Sequence, residues 1–160
     1  MSPARLTLAP VTDDLLPALR ALSVAPEHQD FSGQPAEVLA RNEPDVGCHA
    51  ILEDGVPVGL FRLDADFSRW GHDFAPEGSL GLRSMIVDRA RQGRGIGTAT
   101  IRALPAYLAD LFPDAREIYL TVNLRNPAAR ASYLKGGFED TGAQFLGGDF
   151  GPQHILRMPL

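Results

Sequence analysis

The sequence has one cysteine and no long run of apolar residues. Because Cys48 is the single cysteine among 160 residues, an internal disulfide and a cysteine-rich zinc site are excluded, and we expect no metal site. No apolar run approaches the roughly 18 residues of a membrane-spanning helix, so we expect no membrane partner. The first residues lack the apolar core of a secretory signal, which predicts a cytoplasmic protein.

An excess of positive charge is also missing. The net charge is −5, from 15 basic and 20 acidic residues, which argues against nucleic acid or an anionic membrane as a partner. Hydrophobic residues make up 44% of the chain and charged residues 22%, as in ordinary globular domains. We therefore expect a single domain over residues 1–160. Against this acidic background, residues 91–97 read RQGRGIG, which is both basic and rich in glycine.

Short apolar runs predict the strands of a sheet. The pair Asp54-Gly55 separates two of these runs and is typical of a tight hairpin turn, so we expect the flanking strands to be antiparallel. Residues 65–79 are rich in Gly, Pro, Asp and Ser and are expected to form a long loop. The predicted strands are 5–10, 49–54, 56–64, 80–87, 117–122, 138–146 and 154–160.

Helical spacing and capping residues predict the helices. Apolar or small residues recur at helical spacing over 96–111, with a kink expected near Pro105. Together with the strands, they predict an α/β (α+β) fold with a mixed, mostly antiparallel sheet flanked by helices. The predicted helices are 12–23 with Thr12 as its N-cap, 35–42, 96–111, and one that is capped by Asn126 and ends at the Gly136-Gly137 pair.

The RQGRGIG segment lies between a predicted strand and the amphipathic helix. The N-terminus of a helix has unpaired N–H groups and a partial positive charge, and glycines let an anion approach those amides, so we predict a phosphate site. A Rossmann fingerprint needs a glycine where Thr98 or Thr100 stands, and the lysine of a P-loop is missing. Arg89, Arg91 and Arg94 are expected to add positive charge near the phosphates, or to be ordinary surface charges.

The spacing fits a third pattern, [RQ]-x-x-G-x-[GA], filled by Gln92, Gly95 and Gly97. With its flanking strand and helix, this segment resembles the acetyl-CoA motif of the GNAT superfamily of N-acetyltransferases. Downstream, NPAARASYLKGGF resembles the second family signature, an Asn-led helix that carries a tyrosine and ends in Gly-Phe. The resemblance is close over residues 80–140 and covers only the order of elements over 1–64.

The resemblance implies a binding site for acetyl-CoA. Strands 80–87 and 117–122 are then expected to splay apart, so that the cofactor pairs with a free strand edge. Asn126 is expected to contact the cofactor, to cap its helix, or both. The other residues implied in cofactor binding are Met85, Ile86 and Val87 on the strand, and Gln92, Gly93, Arg94, Gly95, Ile96 and Gly97 in the loop.

The implied reaction is direct attack of a primary amine on the thioester. Tyr133 matches the family tyrosine near the sulfur and is the predicted general acid, while N–H groups near Val87 are expected to polarise the carbonyl. Several family members carry a glutamate early in the central strand, where this chain has Gly81. Alternative bases are Glu77, Asp73, His72 and Ser84, and none is preferred.

The acceptor is expected to be a small-molecule amine. A weak resemblance to spermine/spermidine acetyltransferases favours a polyamine-like amine, although Leu82 and Ser84 replace the aromatic residues common in that branch. The alternatives are acetylation of a peptide or protein amine, and a non-catalytic acyl-CoA-binding module; a homodimer is possible. Residues that could contact the amine, or serve only the loops, are Glu27, Asp30, Asp64, Asp66, Asp73, Glu77, Phe31, Phe67, Trp70 and Phe74.

Overall fold

A computed structural model describes residues 5–24, 33–70, 74–148 and 151–160. Seven strands form one sheet in the order β1-β2-β3-β4-β5-β7-β6. All neighbouring pairs are antiparallel except β4 and β5, which are parallel. The strands are β1 Leu6–Pro10, β2 Val46–Glu53, β3 Val56–Asp64, β4 Leu80–Val87, β5 Glu117–Asn123, β6 Glu139–Phe145 and β7 Gln153–Pro159. The predicted mixed, mostly antiparallel sheet is confirmed.

Four α-helices cover the two faces of this sheet: α1 Leu16–Arg20, α2 Pro35–Ala40, α3 Ile96–Leu111 and α4 Pro127–Gly136. On one face, α3 and α4 pack on a cluster that includes Phe61, Leu82 and Leu120. On the other face, α1 and α2 pack on a smaller cluster that includes Leu60 and Ile86. Because side chains alternate along a strand, neighbouring residues of β3 and β4 contribute to opposite faces.

The helix predicted over 12–23 is wrong in its length and its cap. A short 3₁₀ helix covers Asp13–Leu15, and α1 follows it and ends at Arg20. Pro17 lies in the first turn of α1, where its missing N–H costs no helical hydrogen bond, so the α-helix begins there rather than at Thr12. The Thr12 hydroxyl bonds the Asp14 carboxylate and caps no helix N–H.

The predicted hairpin is confirmed, with a longer first strand. Glu53 pairs with Val56, so the turn consists of Asp54 and Gly55 alone. Both turn residues have positive φ, 50° and 81°, as a two-residue hairpin turn of the favoured twist requires. The strand β2 begins at Val46, three residues earlier than the prediction at 49. Pro57 pairs with Leu52 beside a register shift, and the strand continues beyond it.

The helix that follows RQGRGIG and the helix that carries Tyr133 form where they were predicted. The α3 helix runs unbroken through Pro105, which lies on its exposed side, so no interruption occurs there. Asn126 accepts a hydrogen bond from the Ala129 N–H at 3.4 Å and caps α4. The α4 helix ends at Gly136, and its C-cap is Gly137, whose φ is 131°. No helix among the described residues is long and apolar enough to cross a membrane.

The central strands β4 and β5 separate soon after they begin. They pair only at Leu80–Ile118 and Gly81–Tyr119, so the splayed strands expected in the sequence are confirmed. The far edge of β5 pairs with β7 along its whole length, and the far edge of β4 pairs with β3 as far as Val87. The gap between β4 and β5 therefore opens within the sheet, and the strand on each side of it remains paired along its far edge.

Candidate active site

A cavity of about 620 Å³ fills the gap between β4 and β5. Residues from both faces of the sheet line it, so the cavity crosses the sheet from the α3–α4 face to the α1–α2 face. Of the residues predicted to bind the cofactor or act in catalysis, all except Arg94 line it. The predicted residues in the lining are Met85, Ile86, Val87, Gln92, Gly93, Gly95, Ile96, Gly97, Asn126 and Tyr133.

The β4 wall of the cavity is an open strand edge with a bulge. Beyond Gly81, β4 has no pairing with β5, so backbone groups on this edge face the cavity rather than another strand. Between Leu60 and Arg62 the register of β3 against β4 shifts, which leaves an extra residue at Ser84–Met85. Ser84 has a φ of 52°, unusual for a residue other than glycine. The bulge changes the direction of the backbone at the point where the strands diverge.

The glycine loop forms the end of the cavity at the N-terminus of α3. Gly93 and Gly95 have φ values of 79° and 78°, in the left-handed region that favours glycine, and Gly95 directly precedes the helix. A Cβ on Gly97 would lie 3.4 Å from the Met85 Cε atom and 3.8 Å from Ser132. Gly95, Ile96 and Gly97, at the N-terminus of α3, line the cavity, and a helix N-terminus is where an anion is favoured.

The side chains around the glycines fix the loop to its surroundings. The Gln92 side-chain amide donates to the Val87 carbonyl at 3.4 Å, which links the loop to the end of β4. Arg91 forms an ion pair with Asp88 at 2.5 Å, and Arg94 forms one with Glu53 at 3.2 Å. The Arg94–Glu53 pair is exposed and contributes about 0–1 kcal/mol, so a phosphate can replace Glu53 at little cost. Asp88, by contrast, is buried and also accepts a hydrogen bond from the Ser23 N–H, which holds Arg91 more firmly.

Tyr133 lies on α4, across the cavity from β4. Its ring packs edge-on against Phe138 at a centroid distance of 6.1 Å and against the core of the α3–α4 face. Burial raises the pKa of the Tyr133 phenol to about 12. The hydroxyl is therefore protonated throughout the neutral pH range and is available as a proton or hydrogen-bond donor.

Arginines that the sequence analysis did not identify line the other end of the cavity. Arg62 is 2% exposed, donates to Ser84 Oγ at 3.2 Å and forms an ion pair with Glu43 at 2.6 Å. Arg83 forms ion pairs with the same Glu43 at 3.0 Å and with buried Asp64 at 3.6 Å. Arg41, after α2, is a third guanidinium in the lining. We call Arg41, Arg62 and Arg83 the arginine wall.

The two carboxylates behind the arginine wall differ in their electrostatic surroundings. Burial alone would raise the pKa of Glu43, but hydrogen bonds and positive charge from Arg62 and Arg83 hold it below its ordinary value. Burial raises the pKa of Asp64, which Arg83 and a bond from the Asp66 N–H only partly offset. Neither carboxylate lines the cavity. Their effect is to neutralise part of the arginine wall from behind.

The alternative bases have different positions. Ser84 lines the cavity, but its hydroxyl accepts hydrogen bonds from Arg62. Glu77 is exposed and does not line the cavity, whereas His72 and Asp73 lie outside the described residues. The space that a side chain at position 81 would need is filled by the ring of Phe67.

Most of the predicted acceptor contacts lie away from the cavity or outside the described residues. Glu27, Asp30 and Phe31 fall outside those residues, as does the side chain of Trp70. Asp66 organises its loop by accepting hydrogen bonds from the N–H groups of Ser68 and Gly78. Phe67 and Phe74 pack in a small apolar cluster with Tyr119, which anchors the loop, and Phe67 also lines the cavity. Leu82 lines the cavity as well.

The splayed sheet thus places one cavity between a glycine loop at a helix N-terminus and a tyrosine on a second helix. Comparison with known proteins identifies the group. A profile of the Acetyltransferase (GNAT) family matches residues 12–138. The chain is 32% identical over 144 residues to the uncharacterized N-acetyltransferase YbbJ of Bacillus subtilis strain 168, and the match covers 89% of each chain. The protein belongs to the GNAT family of acetyltransferases.

Solved structures share the fold at lower sequence identity. The aminoglycoside acetyltransferase AAC(6')-Ib, in complex with paromomycin and acetyl-CoA, has a TM-score of 0.77 at 21% identity, and the match covers 96% of this chain and 93% of that one. A chimera of the spermidine N-acetyltransferase SpeG from Vibrio cholerae and hSSAT has a TM-score of 0.69 at 17% identity, with 96% and 95% covered. These likenesses show the fold.

Proposed function

We propose that this protein transfers an acetyl group from acetyl-CoA to a primary amine of a small molecule. The observation that carries this proposal is the continuity of one cavity from the glycine loop, along the open edge of β4, to Tyr133. A ligand with phosphates at one end and amide groups in a flexible arm matches that order of groups. Acetyl-CoA supplies the activated thioester carbonyl of the reaction.

The residues present fit that ligand. The left-handed Gly93 and Gly95 expose amides that suit a pyrophosphate, and the open edge from Met85 to Val87 suits the amides of an extended arm. We assign phosphate binding to residues 92–97, with Arg94 acting from outside the lining. Asn126 lies beside the cavity and caps α4, so its role is first to fix the helix that carries Tyr133.

Tyr133 is proposed as the group that stabilises the departing sulfur. An ordinary thiol has a pKa of about 8.5, so complete proton transfer from a phenol with a pKa of about 12 to a thiolate costs about 5 kcal/mol. A hydrogen bond to the developing thiolate needs no such transfer and begins to act in the transition state. We therefore propose that Tyr133 donates a hydrogen bond to the sulfur as the C–S bond breaks. The phenol proton then passes to the thiolate, and the nitrogen that is now bonded to the acetyl carbon gives up its second proton to restore the phenol.

Before it can attack the thioester, the ammonium form of the acceptor must lose one proton. A primary amine with a pKa of about 10.4 is roughly 0.04% neutral at pH 7. Among the described residues that line the cavity there is no Asp, Glu or His. We propose that the proton leaves through water rather than to a carboxylate at position 81.

We further propose a single domain, a homodimer and a cytoplasmic location. All seven strands belong to one sheet, which supports a single domain over residues 1–160. The strand β6 lies at the sheet edge with most of its residues exposed, and it is the candidate surface for a homodimer. Light scattering measures whether the protein is a dimer. A cytoplasmic location remains a prediction from the sequence.

A thiol-release assay tests the function. Acetyl-CoA is incubated with amines that include polyamines, aminoglycosides, amino acids and peptides, and free CoA is measured. We expect release that depends on at least one small amine. Release with peptides alone would favour the peptide or protein acceptor. Acetyl-CoA binding by calorimetry, without release for any amine, would favour a non-catalytic acyl-CoA-binding module.

A further inference from the structure

The arginine wall lies on the opposite side of the sheet from the glycine loop. On β4, Leu82 and Met85 pack toward α3 and α4, whereas Ile86 packs toward α1 and α2. Arg83 follows Leu82, so alternation directs it to the α1–α2 face, where its ion pair with Asp64 also lies. A ligand at the arginine wall therefore approaches the gap in the sheet from the face opposite α3 and Tyr133.

The charge of this end of the cavity is positive. Three guanidinium groups line it, while the two carboxylates that partner them, Glu43 and Asp64, lie behind the lining. Arg62 directs its donors to Glu43 and Ser84 and is almost fully buried. Arg41 is exposed and forms no ion pair with any residue of the described ranges. Arg41 thus brings to the lining a positive charge that no carboxylate of the described residues pairs with.

We infer that the acceptor amine also carries a carboxylate, which Arg41 binds at the α1–α2 end of the cavity. This inference rests on the proposed function, because it names the class of amine that the same cavity accepts. Guanidinium groups bind carboxylates through paired, charge-assisted hydrogen bonds. A polycationic amine would be repelled by the same guanidinium groups. None of the described residues in the lining is a carboxylate that would offset this repulsion.

The arginine wall also bears on how the amine loses its proton. Nearby positive charge disfavours the charged form of an ammonium group. No described Asp, Glu or His lines the cavity. The lowered pKa of the ammonium group therefore helps the deprotonation that a carboxylate base would otherwise carry out. A carboxylate on the acceptor keeps the ligand attracted to the site, while the amine end is held near Arg62 in its neutral form.

A charge series at constant length tests the inference. The acceptors are aminohexanoate, its amide and the diamine of the same chain length, with a matched series built on a shorter chain and on an α-amino acid. At saturating acetyl-CoA, we expect kcat/KM to fall by about tenfold from the carboxylate to the amide, and further for the diamine. Equal use of carboxylate and amide, or preference for the diamine, would overturn the inference while leaving the proposed function intact.

Variants of the exposed arginine connect the preference to the site. We expect Arg41→Ala to lower kcat/KM for the carboxylate acceptors by about tenfold and to leave the amide almost unchanged, whereas Arg41→Lys retains most of the preference. Arg116→Ala removes an exposed arginine between α3 and β5 and is the control. An equal loss for carboxylate and amide in Arg41→Ala would contradict carboxylate binding. If no acceptor of these series supports thiol release while another amine of the wider panel does, the inference is overturned and the proposed function stands. If no amine of either set supports release, both are contradicted.

Discussion

The ring of Phe67 fills the space that a Cβ on Gly81 would need. Gly81 occupies the place on the central strand where, by the family resemblance, several family members carry a glutamate, and Phe67 is 2% exposed. The carboxylate is therefore replaced by an aromatic ring from the loop after β3, and restoring a side chain at position 81 requires the ring to move.

Gly81→Ala is expected to lower the free energy of unfolding by about 1–3 kcal/mol, because it overpacks this contact. Phe67→Ala is expected to lower the free energy of unfolding by about 3–5 kcal/mol, because it leaves a cavity in place of the ring. The double variant should cost less than the sum by about 1 kcal/mol or more, since each change relieves the other. Urea denaturation measures all four proteins. Gly47→Ala, where a Cβ meets only His49 Nε2 at 3.7 Å, is the strand-glycine control, and additive costs would contradict the packing.

Tyr133→Phe is expected to lower kcat by about 10²-fold or more while leaving the Kd for acetyl-CoA unchanged, because the hydroxyl acts only as the sulfur departs. With a pKa of about 12, Tyr133 should impose no titration on kcat below about pH 10. Tyr119→Phe is the matched control, since Tyr119 is buried on β5 but does not line the cavity. Stopped-flow or steady-state thiol release measures kcat, and an unchanged value would remove Tyr133 from the reaction.

The position of the glycine loop was predictable from the sequence because its geometry is local. Gly93, Gly95 and Gly97 are close in the chain, and their spacing between a strand and an amphipathic helix predicts an anion site before any tertiary contact is known. The same holds for the Asp54-Gly55 turn. The splayed strands followed from the family resemblance rather than from periodicity.

The arginine wall was not predictable because it depends on strand register. Arg62 and Arg83 are opposite each other on β3 and β4, and Arg41 reaches the same cavity from the end of α2. Nothing in the local sequence of these arginines distinguishes them from surface charges. The filling of the space beside Gly81 by Phe67 likewise results from the path of a loop, whereas only the missing glutamate was visible in the sequence.

Gly95→Ala is expected to weaken acetyl-CoA binding by about tenfold, because alanine in the left-handed region costs about 1–2 kcal/mol and the loop relaxes away from the geometry that exposes its amides. Gly78→Ala is the control: its φ of 83° is close to the 78° of Gly95, both have open space for a Cβ, and Gly78 does not line the cavity. Calorimetry gives both affinities. Equal Kd values for the two variants would show that the loop conformation does not serve the ligand.

His49 is expected to make the protein less stable in acid. Its Nδ1 lies 2.5 Å from the Tyr107 hydroxyl, its ring stacks on Phe61 at 5.4 Å, and it is 8% exposed. Burial lowers the pKa of His49 from 6.5 to about 4. The folded state therefore binds this proton less readily than the unfolded chain, so its contribution to stability is complete above about pH 6.5 and is lost as the pH falls toward 4.

The pKa difference of His49 corresponds to about 3 kcal/mol of unfolding free energy between neutral pH and about pH 4. Urea denaturation at a series of pH values should show this loss in the wild type. His49→Gln, which has no titrating ring, should be less stable at neutral pH but should lose about 3 kcal/mol less than the wild type on acidification. Identical slopes for the wild type and His49→Gln would show that His49 is protonated in the folded protein as easily as in the unfolded chain.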